Sequence, residues 1–446
     1  MKKARSIVAF LMAAAMLAAT ACSQSGGESS SQGSSAAEGS SAASEASQGG
    51  DGETHDIVFW DMAWGAEDYV KAMENQLQTE MKEAVPGVGD VEYVSLTWEN
   101  FLQVHLTAIN SGTAPDIFTA GFGTGEVFAR MGAVHYLDKI DANEELKAKY
   151  DEATWMRAVA TIFYRTDMFA EVGYTESPKT WDEFMDALRK VKAEYNIDPF
   201  IFDLAGGRAN HLLLLSLLNN GVGCCKYDAN NNVVPAMSDP ENKRMIQYLV
   251  DMYQEGLVPQ SLSTYKRSDL MKVYLDGQAA VFIGDLALDV VGTELEEVTG
   301  VLDVLTGPDS DEQRALTFYN GLGVFAQSEC PELCEDVIAY LVNNIDQYFV
   351  DGMWEAWPAD KETTELVVEN SSNPFYEKGA KNMEFCTPAI YPIEEVYDGW
   401  GVLDGEALLG KVAQMAMTGA SSDVDEIAAY GDQLIQDAID SQKEAQ

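Results

Sequence analysis

Gly121-Phe-Gly-Thr-Gly125 follows a strand-like run, Asp116 to Ala120, where a dinucleotide-binding loop would begin, but its third glycine should fall at residue 126, which is Glu. No Walker A, G-x-S-x-G or H-E-x-x-H pattern occurs, and the four histidines, His55, His105, His135 and His211, are scattered. A glycosidase needs only two carboxylates, and among 73 Asp and Glu residues composition cannot exclude a pair. Cys330-Pro-Glu-Leu-Cys334 lacks the spacing of a zinc knuckle and has no second pair to complete it, so structural cysteines are expected, with no metal and no cofactor. Cys224 and Cys225 are adjacent, and with Cys386 the body holds five cysteines, an odd number that leaves at least one outside any internal pair.

Cys22 stands apart. Lys2, Lys3 and Arg5 precede an apolar run from Ile7 to Ala21, the charged and apolar regions of an export leader and too short for a membrane span of ~20 residues. Ala19-Thr20-Ala21-Cys22 resembles a bacterial lipobox, which predicts a signal peptide over 1–21 and diacylation of Cys22. Two acyl chains give the anchoring that one cannot. From Ser23 to Gly52 the chain is nearly all Ser, Gly, Ala, Gln and Glu, so 22–52 reads as a lipidated cysteine and a disordered tether with nothing to bury. Such a tether keeps the body within roughly 30 Å of the bilayer. The expected location is the outer face of the cell membrane.

The elements that must position any site begin after the tether. Asp56 to Asp61 reads as a buried strand, Ala66 to Ala84 as an amphipathic helix, Val91 to Leu96 as a strand, Glu99 to Asn110 as a helix closed by Gly112, and Asp116 to Ala120 as a third strand. This β-α-β-α-β order predicts a parallel sheet covered by helices. The pattern restarts with strands at Ala160 to Tyr164, Pro199 to Phe202 and Ala279 to Ile283. Thr180-Trp-Asp-Glu183 forms a capping box at the start of one helix, and Pro240 opens another. A strand from Leu322 to Ala326 and a helix from Pro331 to Asn344 follow, and the last hundred residues read as mainly helical, clearest at Asp404 to Met417 and Asp423 to Ile439. The net charge of −45 repels nucleic acid and anionic lipid.

Leu106-Thr-Ala-Ile-Asn-Ser-Gly-Thr-Ala-Pro-Asp-Ile-Phe118 resembles the signature of the extracellular solute-binding proteins of ABC importers, the family of the maltose and multiple-sugar binders. Further matches follow in order at Gly132 to Asp138, Tyr164 to Phe169, Pro178 to Phe184, Asp239 to Pro259, Leu275 to Val281 and Met417 to Gly419. The resemblance implies an α/β fold of the two-lobed type II periplasmic-binding-protein kind, with mixed sheets, flanking helices and a ligand cleft between lobes. It places lobe 1 at 56–159 plus 305–350 and lobe 2 at 166–303 plus 352–446. It also implies a non-catalytic monomer that closes on a di- or oligosaccharide and delivers it to a membrane permease. A non-sugar or acidic solute is the alternative, and a surface glycoside-acting enzyme a lesser one. Relatives carry a further cleft-lining segment before the strand at Tyr164; here Trp155 to Tyr164 follows the Lys147 to Ala153 stretch directly.

A sugar presents apolar C–H faces and a rim of hydroxyls, so its site needs aromatic planes and planar polar groups. Positions matched to the family supply candidates. Asp61 and Trp64 follow the first strand, Phe122 the third, Arg208 and Asn210 the Phe202 strand, and Asp285 the Val281 strand. Tyr319 and Asn320 match a loop after the second crossing, and Trp354, Trp357 and Trp400 lie in the C-terminal helical part.

Overall fold

The alternation of short apolar runs with amphipathic stretches produces two separate sheets. The computed structural model describes residues 54–444 apart from 66, 99, 150–153 and 266. The predicted leader, Cys22 and the tether lie outside the described residues.

The first sheet is built on the early β-α-β-α-β unit. Strand His55–Met62 pairs in parallel with Val88–Leu96 on one side and with Ile117–Gly121 on the other. The connecting helices are Glu67–Gln78, continued after a break at Thr79 by Glu80–Ala84, and Phe101–Ser111, whose C-cap Gly112 takes the left-handed conformation that glycine adopts without steric cost. Across Ile117–Gly121 lies the antiparallel strand Ala315–Phe325, followed by Thr154–Val159 and the short strand Trp357–Pro358. Val134–His135 and Cys386–Pro388 also pair with Ala315–Phe325. Two strands from the segment 352–446 thus join the larger sheet.

The second sheet has the order Thr299–Val301, Thr161–Arg165, Val281–Gly284, Phe200–Ile201, the last two parallel and the rest antiparallel. Only Ala160 separates Thr154–Val159 in one sheet from Thr161–Arg165 in the other, so the chain crosses between sheets with almost no slack. A return crossing runs from Thr299–Val301 to Ala315–Phe325. Helices Trp181–Tyr195, Gly207–Asn219, Pro240–Gln254 and Leu408–Met417 bury apolar faces that include Trp181, Leu188, Leu213, Leu249 and Val412. The predicted capping box forms, since Thr180 Oγ1 accepts from Glu183 N at 3.2 Å. The reciprocal reach differs, because Glu183 Oε2 accepts from Lys179 N at 2.7 Å, one residue upstream of the cap itself. No described helix is long and apolar enough to cross a membrane.

Candidate functional site

In open α/β sheets ligands bind beyond the carboxyl ends of parallel strands, because loops there are free of the ladder and strand order leaves a crevice. Three groups of residues occupy such ends here.

The first surrounds Asp61, at the end of His55–Met62. This side chain is fully buried and accepts five hydrogen bonds: Trp64 Nε1 at 2.9 Å, Tyr69 OH and Tyr93 OH at 2.7 Å each, Thr119 Oγ1 and Met62 N at 2.8 Å each. Burial raises its pKa, and the tyrosine, threonine and backbone donors oppose the rise. Trp64 sits edge-on to Trp98, with 4.7 Å between ring centroids. Gly65 bridges to Trp354, whose ring is buried against Tyr69 and Phe349. Trp98 is 40% exposed and follows the parallel strand Val88–Leu96.

The second group lies at the ends of Phe200–Ile201 and Val281–Gly284. Gly206, the N-cap of helix Gly207–Asn219, donates its N–H to Asp203 Oδ1 at 2.8 Å, and this places Arg208 in the first turn. Arg208 grips Asp285 through two hydrogen bonds of 3.0 and 2.6 Å, while Nη1 also lies 3.1 Å from His211 Nδ1. Burial and the Arg208 charge push the His211 pKa well down, so the ring is neutral and stacks on Phe318 at 4.6 Å. Arg267 makes a matching two-pronged contact with Glu355, one arm at 2.6 Å, and reaches Asp289 at 3.2 Å. The Glu355 N–H donates to the Trp64 carbonyl at 2.7 Å, which links this group to the first. Asp203, Arg208, Arg267, Asp289 and Glu355 line one pocket with Phe202 and Met271.

The third group gathers at Gly121, where Asn320 pairs opposite on the antiparallel strand. A methyl group at Gly121 would sit 3.4 Å from Asp404 Oδ2, 3.7 Å from Asn320 Oδ1 and 3.9 Å from Thr124 Oγ1. The Thr124 hydroxyl is buried without a hydrogen-bond partner among the described residues. Asp404 is half-buried, and burial alone lifts its pKa to about 7. Trp400 closes this corner, its ring against Gly123, where any side chain would collide with it at 2.5 Å.

Tyr319 is half-buried one residue before Asn320, and Phe122 opens helix Phe122–Arg130. Asn210 is buried one turn from the start of the Arg208 helix and faces Gly410 of helix Leu408–Met417, its Oδ1 unpartnered among the described residues. Trp357 stands apart on the edge of the larger sheet, edge-on to Tyr376 at 5.0 Å. Trp64, Trp354, Trp357 and Trp400 are each no more than 4% exposed. Sequence reasoning did not pick out Trp98, His211, Arg267, Glu355, Thr124 or Asp404 as site residues. Trp98 was within reach, since it follows a parallel strand as Trp64 does.

Residues 66–348 match the model of the bacterial extracellular solute-binding protein family. The chain belongs to this family. Its role is therefore binding without catalysis. This solute-binding protein is 21% identical over 271 residues to a "Probable ABC transporter-binding protein" of Deinococcus radiodurans, covering 58% of this chain and 59% of that one. It spans about half the length of similar putative binding proteins of Brucella, at 22% identity over 44% of its own length. Among solved structures it resembles a laminaribiose-bound sugar transporter of Arthrobacter chlorophenolicus, with a TM-score of 0.76 and 20% identity over 86% of this chain and 99% of that one. Maltose-bound MalE3 of T. maritima gives a TM-score of 0.71 and 17% identity, over 85% and 99%. These likenesses bear out the two-lobed α/β fold expected from the sequence.

Proposed function

We propose that this chain is the capture component of an ABC importer, taking a di- or oligosaccharide into the space between its two lobes and presenting the closed form to a membrane permease. The observation that carries the reading is that strand ends of the two sheets are joined, since Gly284 pairs with Thr161 next to the single-residue crossing at Ala160 and the Glu355 N–H of the Arg267 group donates to the Trp64 carbonyl of the Asp61 group. The laminaribiose and maltose held by proteins of the same fold support a carbohydrate over other solutes. Closure is a hinge motion in which the solute shifts an equilibrium between open and closed forms. The lobes divide near 56–159 plus 305–350 and 166–303 plus 352–446, with the two short C-terminal strands reaching back to the first sheet. Cys22 carries the lipid that holds the monomeric body outside the cell membrane.

Within this reading, solute contacts come from the candidate positions Phe122, Arg208, Asn210, Asp285, Tyr319, Asn320 and Trp400, joined by Trp98 and Asp404, while the buried candidates Asp61, Trp64, Trp354 and Trp357 support the site from behind. A neutral sugar fits better than an acidic one, because Asp285 and Glu355 already occupy the guanidinium faces of Arg208 and Arg267.

The test is thermal-shift screening of the untethered body against neutral and acidic carbohydrates, followed by calorimetric titration. A cognate solute at 100 times its Kd adds ~2.7 kcal/mol of stability. A response confined to peptides, polyamines or metal ions would overturn the carbohydrate reading.

A further inference from the structure

Two soft donors at Cys330 and Cys334 are too few for a metal site, and the fold adds a carboxylate from just before a distant strand. Asp116 immediately precedes Ile117–Gly121, and its Oδ2 is oriented by Val58 N at 2.8 Å. Its Oδ1 accepts from Ser328 Oγ at 2.7 Å. The same Ser328 hydroxyl lies 3.6 Å from Cys334 Sγ and 3.9 Å from Cys330 Sγ, and it accepts the Cys330 N–H at 3.2 Å. A carboxylate oxygen of Asp116 and both sulfurs lie within 4.8 Å of one another. Cys334 is buried, whereas Asp116 and Cys330 are half-buried, so the cluster is reached from solvent.

We propose that Asp116, Cys330 and Cys334 form a site for a thiophilic divalent cation, zinc by its donor set, with Ser328 Oγ or a water in the fourth position. Two thiolates and one carboxylate suit a small tetrahedral ion with metal–sulfur bonds of ~2.3 Å and metal–oxygen bonds of ~2.0–2.2 Å, and they disfavour magnesium and calcium. Reaching those lengths requires the side chains to close by roughly 1 Å, a rotation rather than a backbone shift. On binding, each thiol gives its proton to solvent as its sulfur takes the cation. The site sits at the amino-terminal end of Ile117–Gly121, opposite the end where Gly121 and Asn320 meet, so the ion would staple helix Pro331–Asn344 to the sheet and not touch the solute.

The experiment uses the reduced full-length chain, stripped with chelator and kept free of oxygen, and titrates it with Co²⁺ alone. One equivalent should give thiolate-to-metal charge-transfer absorption that zinc abolishes by displacement. Zinc should also raise the melting temperature. Cys330→Ser and Cys334→Ser should remove the band, Cys224→Ser should keep it, and Ser328→Ala should weaken Co²⁺ binding ~10–100-fold as the loss of an orienting partner. Circular dichroism of each variant separates lost binding from lost folding, and Cys330, being half-buried, is the variant expected to fold unchanged. No band in the reduced chain, a band that survives Cys330→Ser, or a Cys330–Cys334 disulfide forming in air despite equimolar zinc would each overturn the proposal.

Discussion

Asp61 and Asp404 are both carboxyls drawn out of water near the carboxyl ends of neighbouring strands, where burial raises the pKa of each, and the fold surrounds them differently. Asp61 receives five donors from the Trp64 loop, helix Glu67–Gln78, strands Val88–Leu96 and Ile117–Gly121, and its own following backbone. Asp404 has burial as the single cause acting on it, which brings its pKa to about 7. Burial alone disfavours the charged form, while each donor restores it. The contrast teaches that depth does not decide a carboxyl's use; the donors around it do. Asp61 spends its hydrogen-bonding capacity inside the fold, and Asp404 keeps its own for whatever enters beside Gly121.

The largest effect that would break this comparison is at Asp61. Asp61→Ala strands two tyrosine hydroxyls, a threonine hydroxyl and an indole N–H in a dry interior, each costing up to a few kcal/mol and not additively, so a loss of ~3–5 kcal/mol of stability is expected. Trp354→Ala should fall in the same range of ~3–5 kcal/mol, since its ring is fully buried. Chemical denaturation measures both. Were Asp61→Ala to melt like the parent yet lose solute, Asp61 would be a contact residue rather than the hub of the nest.

The next effect is a slope. A carboxyl raised from its usual range to about 7 holds its proton in the folded chain between those values, where the unfolded chain has lost it. Its contribution to stability is therefore full at low pH and disappears as pH rises through 7. Between pH 5 and pH 8 the parent should lose ~2–3 kcal/mol relative to Asp404→Asn, whose amide does not titrate. Melting the two proteins side by side across that range gives the difference directly. Parallel curves would mean that Asp404 ionises like a surface acid and would remove the contrast with Asp61.

Much of the fold was legible because periodicity and caps are local. Thr180 with Glu183, Gly112 past its helix and Pro331 at the start of its own all announce boundaries without help from distant residues. The long strand Ala315–Phe325 was read only from Leu322, because its first half is fixed by pairing with Thr154–Val159 and Cys386–Pro388, partners far along the chain. The predicted helix from Asp404 to Met417 splits into Trp400–Gly405 and Leu408–Met417, with Ala407 left-handed between them. Gly405 is a local cue to that break, but the left-handed turn at Ala407 has none in the sequence. The site was less legible for the same reason. Asp61 and Trp64 were named from their place after a strand, but the tyrosines that enclose Asp61 arrive from two other elements. Asp404 meets Gly121 through the packing of Trp400 and Gly401 on Gly123, a contact between distant segments.

The smallest effect on the fold, and the sharpest test of where a sugar would stack, is at Trp98. Its ring touches Trp64 and Phe101 edge-on, at 4.7 and 5.4 Å, yet remains 40% exposed, whereas Trp64 beside it is 4% exposed and hydrogen-bonded to Asp61. Truncating a half-covered ring leaves no sealed cavity, so Trp98→Ala should cost well under the ~3–5 kcal/mol of a buried aromatic, about 1 kcal/mol or less. If Trp98 offers its open face to the solute, the same change removes stacking area from the bound state alone and weakens affinity by ~1–3 kcal/mol, roughly tenfold to a hundredfold. Trp64→Ala should show the reverse balance, because it opens the Asp61 nest and leaves one of the carboxylate's bonds unmade. Calorimetric titration and melting of both variants with the identified solute therefore assign the stacking plane. Unchanged affinity in Trp98→Ala would move that role away from this strand end and toward the polar corner formed by Gly121, Asn320 and Asp404.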